Sequence, residues 1–157
     1  MPFQKQVNIT PAPAVAGDFA SSNPRSHVVG GEGGYVAASG GVTVGRFAWI
    51  TGDTAASTGS GVPDGLVHRE NNAQITTYLA ESGNTILQGQ PVTIFSKGDF
   101  FVTATVGAAV KGNKVFAKLT DGTVQFAAAG ATVSGFIETA WTCVRACLVN
   151  ELAVISL

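Results

Sequence analysis

His68-Arg69-Glu70, with Asp53 and Asp64 upstream, is the densest group of side chains in this sequence that could move protons. Nucleophilic or acid–base catalysis asks for a nucleophile within hydrogen-bond reach of a base, and for a third group that orients the base. No serine of the chain lies in a Gly-x-Ser-x-Gly context, and Ser57-Thr58-Gly59-Ser60-Gly61 is a low-complexity polar loop. A structural role is expected for His68, Arg69 and Glu70. Arg69 would pair with Glu70 or with a carboxylate on a partner, since the planar guanidinium fork suits carboxylates. Glycoside hydrolysis would need two carboxylates at a fixed separation. Glu70, Glu81, Glu138 and Glu151 are available, but spacing alone draws no pair among them.

Gly30-Gly31-Glu32-Gly33-Gly34 invites comparison with a phosphate loop. Such loops open a helix whose N-terminus faces the anion. This one leads into the strand-like Tyr35-Val36-Ala37 and lacks Gly-Lys-Ser/Thr, so a joint between two parts of the chain is expected instead. On one strand Cys143 and Cys147 would stand about 13 Å apart at ~3.3 Å per residue. That is too far for a disulfide, so reduced thiols are expected. A zinc site needs about four ligands. The two histidines, His27 and His68, show no ligand spacing to the cysteines. No catalytic residue, metal or cofactor is therefore expected.

Charge excludes further classes. The nine Lys and Arg residues are scattered and the net charge is −1, which offers nothing to a polyanion, so no nucleic acid is expected as a partner. No apolar run reaches the ~18–20 residues of a membrane helix. The opening Met1-Pro2-Phe3-Gln4-Lys5-Gln6 lacks a basic region followed by an apolar one, so cytoplasmic synthesis is expected. Only 12% of the 157 residues are charged, while 45% are hydrophobic. Usual soluble domains carry about 25% charge. Interface cores are depleted in charge, so this composition fits a chain that packs against other chains.

These residues have to be positioned by an all-β chain. Before Gly34, prolines at 2, 11, 13 and 24 and glycines at 17, 30, 31 and 33 interrupt every regular element, and Pro11-Ala12-Pro13-Ala14 suits polyproline II. Phe3, Val7, Ile9, Val15 and Phe19 nevertheless dot this stretch with apolar anchors. Residues 1–33 read as an extended arm laid on a neighbour or on its own body, and residues 34–157 as the body. With Arg25 and Arg69 as interface cations, these anchors are the candidate partner contacts.

From Tyr35 onward, β-forming runs alternate with turns. Strands are expected within residues 41–50, 73–80, 90–96, 100–106, 113–119, 122–128, 131–140 and 149–156, with a polar loop over 51–65. Thr120-Asp121-Gly122 marks the clearest hairpin, with Val124, Phe126 and Ala128 on one face of its second strand and Gln125 turned away. Phe100-Phe101 places aromatics on both faces of one strand, so both must be covered. The other aromatics of the strands are expected in the core. Residues 141–152 leave room for a helical turn. Short strands with frequent turns predict a jelly roll, or else a small β-barrel or sandwich.

The chain resembles the structural cement, or capsid decoration, proteins of tailed bacteriophages. The resemblance rests on Met1-Pro2-Phe3-Gln4, on the run Pro11-Ala12-Pro13-Ala14-Val15-Ala16-Gly17-Asp18-Phe19, and on Gly41-Val42-Thr43-Val44-Gly45-Arg46-Phe47-Ala48-Trp49. Gly65-Leu66-Val67-His68-Arg69-Glu70 and Gly135-Phe136-Ile137-Glu138-Thr139 extend it over nearly the whole chain. The Cys143–Cys147 stretch stands outside it. The resemblance implies a small β protein, without catalytic residues, on the outer surface of the virion's icosahedral head. It would straddle major capsid protein subunits and associate with itself as a dimer or trimer. A host- or glycan-binding virion module and a small β-fold hydrolase are the rival readings; the first requires an exposed aromatic platform.

Overall fold

A computed structural model describes residues 14–70 and 83–157. Fourteen strands run through them: β1 (Ser26–His27), β2 (Tyr35–Ala37), β3 (Val42–Thr43), β4 (Phe47–Thr51), β5 (Thr54–Ala56), β6 (Gly65–Val67) and β7 (Thr85–Ile86), followed by β8 (Pro91–Val92), β9 (Ile94–Lys97), β10 (Asp99–Thr103), β11 (Lys114–Lys118), β12 (Val124–Ala127), β13 (Phe136–Arg145) and β14 (Leu152–Ser156). They form a seven-stranded sheet in the order β1-β9-β6-β4-β5-β2-β8, a five-stranded sheet in the order β10-β14-β13-β11-β12, and a small pair, β3-β7. All pairings are antiparallel except β2 with β5.

The all-β reading holds, as open sheets packed into a sandwich of the jelly-roll-like class. The closed barrel among the expected architectures is not formed: both large sheets end in edge strands.

The middle strands of the seven-stranded sheet are apolar on both faces because each face meets its own core. Phe47 and Trp49 of β4, Leu66 of β6 and Phe95 of β9 point into the main core, which they share with Phe100, Val102, Val115, Phe126, Trp141 and Ile155. Their neighbours Ala48, Val67 and Ile94 point the other way, into a second core with Val42, Val44 and Val92. The strand period of two thus sorts one continuous apolar run into two layers. Burying each large side chain contributes roughly 1.5–3 kcal/mol.

The hairpin centred on Asp121-Gly122 forms as the sequence implies, joining β11 to β12 with Lys114 opposite Ala127. Val124 and Phe126 are buried and Gln125 is turned away. Gly122 has φ 67° and donates to the Lys118 carbonyl. Phe47 in turn donates to the Gly122 carbonyl at 3.0 Å, so the turn also fastens the two sheets together.

Other boundaries moved. Residues 41–50 divide into β3 and β4 around Gly45, at φ 72°. The polar loop after β4 contains β5. The strand expected over 131–140 begins only at Phe136 and continues to Arg145, which replaces the helical turn envisaged after Trp141. Pairing with both β11 and β14 holds that stretch extended. The strand expected over 73–80 lies outside the described residues.

Gly122→Ala tests the inter-sheet fastening. A Cβ at this position would overlap the Phe47 carbonyl oxygen on a left-handed backbone. The left-handed conformation alone costs an L-residue about 1–2 kcal/mol. With the overlap added, thermal melting is expected to fall by roughly 5 °C or more, whereas Gly130→Ala, which shares the positive φ but meets nothing nearby, should cost less.

Candidate functional site

The chain crosses from one sheet to the other at residues 94–103, where β9 runs through Gly98 into β10. β10 is an edge strand, and an exposed edge leaves amides and carbonyls unpaired. Residues 14–28 occupy that line. Gly17 N donates to Phe101 O at 2.8 Å, Phe101 N to Asp18 O at 3.0 Å, and Ala20 N to Asp99 O at 2.9 Å. Phe19 forms an antiparallel bridge with Phe100. Farther along, β1 pairs with β9 and Val28 N donates to Ile94 O. One segment is therefore stitched to the edges of both sheets.

Side chains secure the stitch. Phe19 stacks on His68 with ring centroids 4.1 Å apart and packs beside Phe95 and Phe100 at 5.3 and 5.2 Å. The Arg25 guanidinium lies 3.8 Å from the Phe19 ring centroid. Aromatic pairs contribute about 0.5–1.5 kcal/mol beyond burial, and an exposed cation over a ring about 0.5–1. Arg69 Nη1 donates to Asp18 Oδ1 at 3.2 Å, while Asp18 Oδ2 accepts the Val15 amide at 2.9 Å. His68 Nδ1 is 2.8 Å from the Gly17 carbonyl, which makes it the protonated nitrogen. Ser21 Oγ and Asn23 Nδ2 both donate to Asp99 Oδ2 at 2.6 Å. Hydrogen bonds from Ser156, Ser21 and Asn23 outweigh desolvation and hold the Asp99 carboxyl below its ordinary value.

Of the candidate contact residues, Val15, Phe19, Arg25 and Arg69 all meet within this one site. Phe3, Val7 and Ile9 lie outside the described residues. The Arg69 carboxylate partner is Asp18 of its own chain. Glu70 instead accepts a hydrogen bond from Thr93. Sequence reasoning missed Asp18, Ser21, Asn23 and Asp99. Only the turn-forming character of Ser21-Ser22-Asn23-Pro24 hinted at two of them; Ser21 and Asn23 meet Asp99 across 76–78 residues, and Asp18 meets Arg69 across 51.

The groups that might have made a catalytic centre are dispersed and locally employed. Asp64 Oδ2 accepts the Ile50 amide, Glu138 Oε2 the Gly130 amide and Glu151 Oε2 the Leu148 amide. Gly30–Gly34 is a turn that leads into β2, with Gly34 N donating to Gly31 O. Both cysteines are free. Burial pushes both thiols up, and Cys143 is wholly buried. Among the described residues no group of three His, Cys, Asp or Glu is placed to hold a metal, and Phe47, Trp49, Phe95, Phe100, Phe116, Phe126 and Trp141 are all buried.

The sequence model of the XM1 gp53 minor capsid proteins matches residues 3–157. A chain in the solved capsid of the Myoviridae phage XM1 has the same fold, with a TM-score of 0.73 at 18% identity, covering 99% of this chain and 97% of that one. No curated protein sequence matches. The protein is thus a capsid-associated protein of the tailed-phage type, and its role in the virion is structural. It belongs to the XM1 gp53 minor capsid protein family.

Two outcomes are expected at the stitch. Phe19→Ala removes a half-buried ring and its aromatic contacts, and should cost about 2–3 kcal/mol in denaturant unfolding. It should also make residues 20–34 the first site of limited proteolysis. Asp99 is a carboxylate with a folded pKa below its unfolded value. Its contribution is therefore complete above the unfolded pKa of about 3.9 and is lost as pH falls through the lower folded value. Protection factors of the Ala20 and Asn23 amides, that is, exchange corrected for its intrinsic pH dependence and read from pH 6 down to about pH 3, should fall at the acid end in the native chain, and Asp99→Asn should flatten that dependence.

Proposed function

We propose that this minor capsid protein is a cement, or decoration, protein. It binds the outer surface of the icosahedral head and stabilises contacts between major capsid protein subunits, acting as a dimer or trimer. The observation that carries this reading is the stitched segment. Residues 14–28 are fixed to the body at an edge shared by both sheets, so the residues before Ala14 start from a rigid anchor. An arm comprising residues 1–33 is then divided by function. Val15, Phe19, Arg25 and Arg69 hold it to the body, and Phe3, Val7 and Ile9 reach a neighbouring subunit.

Thirteen residues span at most about 43 Å at ~3.3 Å each, enough to cross onto an adjacent subunit. Body and arm then bind two places at once, and the second contact forms at high effective concentration. The 12% charged composition fits such packing, because close-packed interfaces exclude unpaired charge. The family's structural role in capsids goes with a non-enzymatic function. Nothing among the described aromatics favours the glycan-binding alternative, since the two tryptophans are buried at 6% and 3% exposure.

Removing residues 1–13 tests this more cleanly than a longer truncation, which would strip the β10 edge. The truncated chain should melt within a few degrees of the full chain yet bind purified heads at least about tenfold more weakly in co-sedimentation. Undiminished binding by the truncated chain would refute the arm's role.

A further inference from the structure

The run from Gly41 to Trp49 feeds both cores with its apolar members, but its one cation, Arg46, belongs to neither core and takes no part in the stitch. Arg46 lines a cleft of about 190 Å³. Thr43 and Arg46 flank the turn at Gly45, Asn84 stands just before β7, Thr103 ends β10 with Thr105 just beyond it, and Thr123 precedes β12. Ala16 of the stitched segment lines the cleft as well. Gly45, at φ 72°, allows that approach, since a Cβ there would stand 2.7 Å from the Ala16 Cβ. Every polar side chain of this lining can donate a hydrogen bond. Among the described residues no Asp or Glu lines the cleft.

Charge at the cleft is out of balance. Arg46 Nη1 stands 3.9 Å from Asp121 Oδ2, too far for a hydrogen bond. The same oxygen faces Lys118 Nζ at 3.5 Å, while Asp121 Oδ1 accepts the Thr123 amide at 3.0 Å. One carboxylate thus serves two cations, and one positive charge is left in excess. An arginine has five N–H donors. Among the described residues the Arg46 guanidinium gives none of them to a hydrogen bond, and its side chain is 37% exposed.

Size narrows what could answer that charge. Pockets for small-molecule ligands enclose about 300–1,000 Å³. This cleft is smaller and suits a single inserted side chain. We infer that it receives an aspartate or glutamate side chain of a neighbouring major capsid protein subunit. The inference rests on the cement reading and names one contact of the body, separate from the arm. The planar guanidinium takes a carboxylate on two parallel N–H groups, and the Thr43, Thr103 and Thr105 hydroxyls are further donors. The seat is held in place before anything enters it, by Gly45 N donating to Val67 O at 2.9 Å and Gly17 N to Phe101 O at 2.8 Å. A preformed site loses little freedom on binding. A second copy of the chain has few carboxylates to give. Of its ten acidic residues, Asp18, Asp64, Glu70, Asp99, Glu138 and Glu151 already accept hydrogen bonds within their own chain, as Asp121 does at the cleft.

Co-sedimentation of full-length chains with heads that lack the protein tests the seat. Arg46→Gln removes only an exposed ion pair from the fold, so the melting temperature should stay within about two degrees. Head binding should weaken at least about tenfold. Arg46→Lys restores the charge without the fork and should recover only part of the loss. Lys111→Gln removes an equal charge from an exposed turn and should leave binding unchanged. Thr105→Glu supplies the cleft with a carboxylate from its own chain. It should weaken binding without lowering the melting temperature, which a folding defect cannot mimic.

Carbodiimide treatment of the head-bound Arg46→Lys chain identifies the occupant. The reagent joins an amine to an adjacent carboxyl as an amide and takes up the water released. A linked peptide pairing position 46 with an acidic residue of the major capsid protein is expected. Linkage only to Asp121 of the same chain, or to a second copy, overturns the inference. Undiminished binding by Arg46→Gln also overturns it and leaves the cement reading in place, whereas failure of the native chain to bind heads removes both.

Discussion

An antiparallel sheet edge presents a row of amides and carbonyls that must be paired, covered or left to water. In this protein the critical edge lies at the corner where β9 passes through Gly98 into β10. Residues 14–28 supply its partners, through Gly17, Asp18 and Ala20 on one sheet and through Ser26–His27 and Val28 on the other. The terminal pairing of Gly98 with Leu157 closes the far side of the same corner. Much else depends on this arrangement. Phe19 can sit among His68, Phe95 and Phe100 only because its backbone is registered against Phe100. Asp18 and Asp99 find partners only because the segment runs in that direction.

The second constraint is the two-faced sheet. β4, β6 and β9 contribute alternate side chains to two separate cores, so few positions on them are free for polar groups. This accounts in part for the low charge of the sequence. The remainder sits on outward surfaces such as Val144 and Leu148 beside Cys147, which stand exposed among the described residues. A monomer gains nothing from keeping such surfaces apolar. A protein that works within a capsid has neighbours to cover them, and membership of a minor capsid protein family supplies that setting.

These two features separate rigidity from reach. The sandwich and its stitched edge hold the body and fix the starting point of the N-terminal residues. The carboxylates of the body are spent on its own loops, where Asp64, Glu138 and Glu151 accept the Ile50, Gly130 and Leu148 amides.

Sequence alone was enough for the all-β class, the Asp121-Gly122 hairpin and most of the buried aromatics, because these follow from local periodicity and turn chemistry. It also marked residues 1–33 as more than a loose tail, through Phe3, Val7, Ile9, Val15 and Phe19, and of that stretch the described part holds Phe19 against the body, with the Val15 amide bonded to Asp18 beside it. The division of residues 41–50, the extension of β13 to Arg145 and the open sandwich in place of a barrel were not legible, because pairing partners far along the chain set strand ends and sheet closure. Arg69 is the sharpest case. Its sequence neighbour Glu70 was an available partner, yet Arg69 pairs with Asp18, 51 residues away, and Glu70 turns to Thr93. Local chemistry determined which groups needed partners. The tertiary structure decided which partners they received, because only the register of a distant segment on the β9–β10 edge brings those groups within a hydrogen bond of each other.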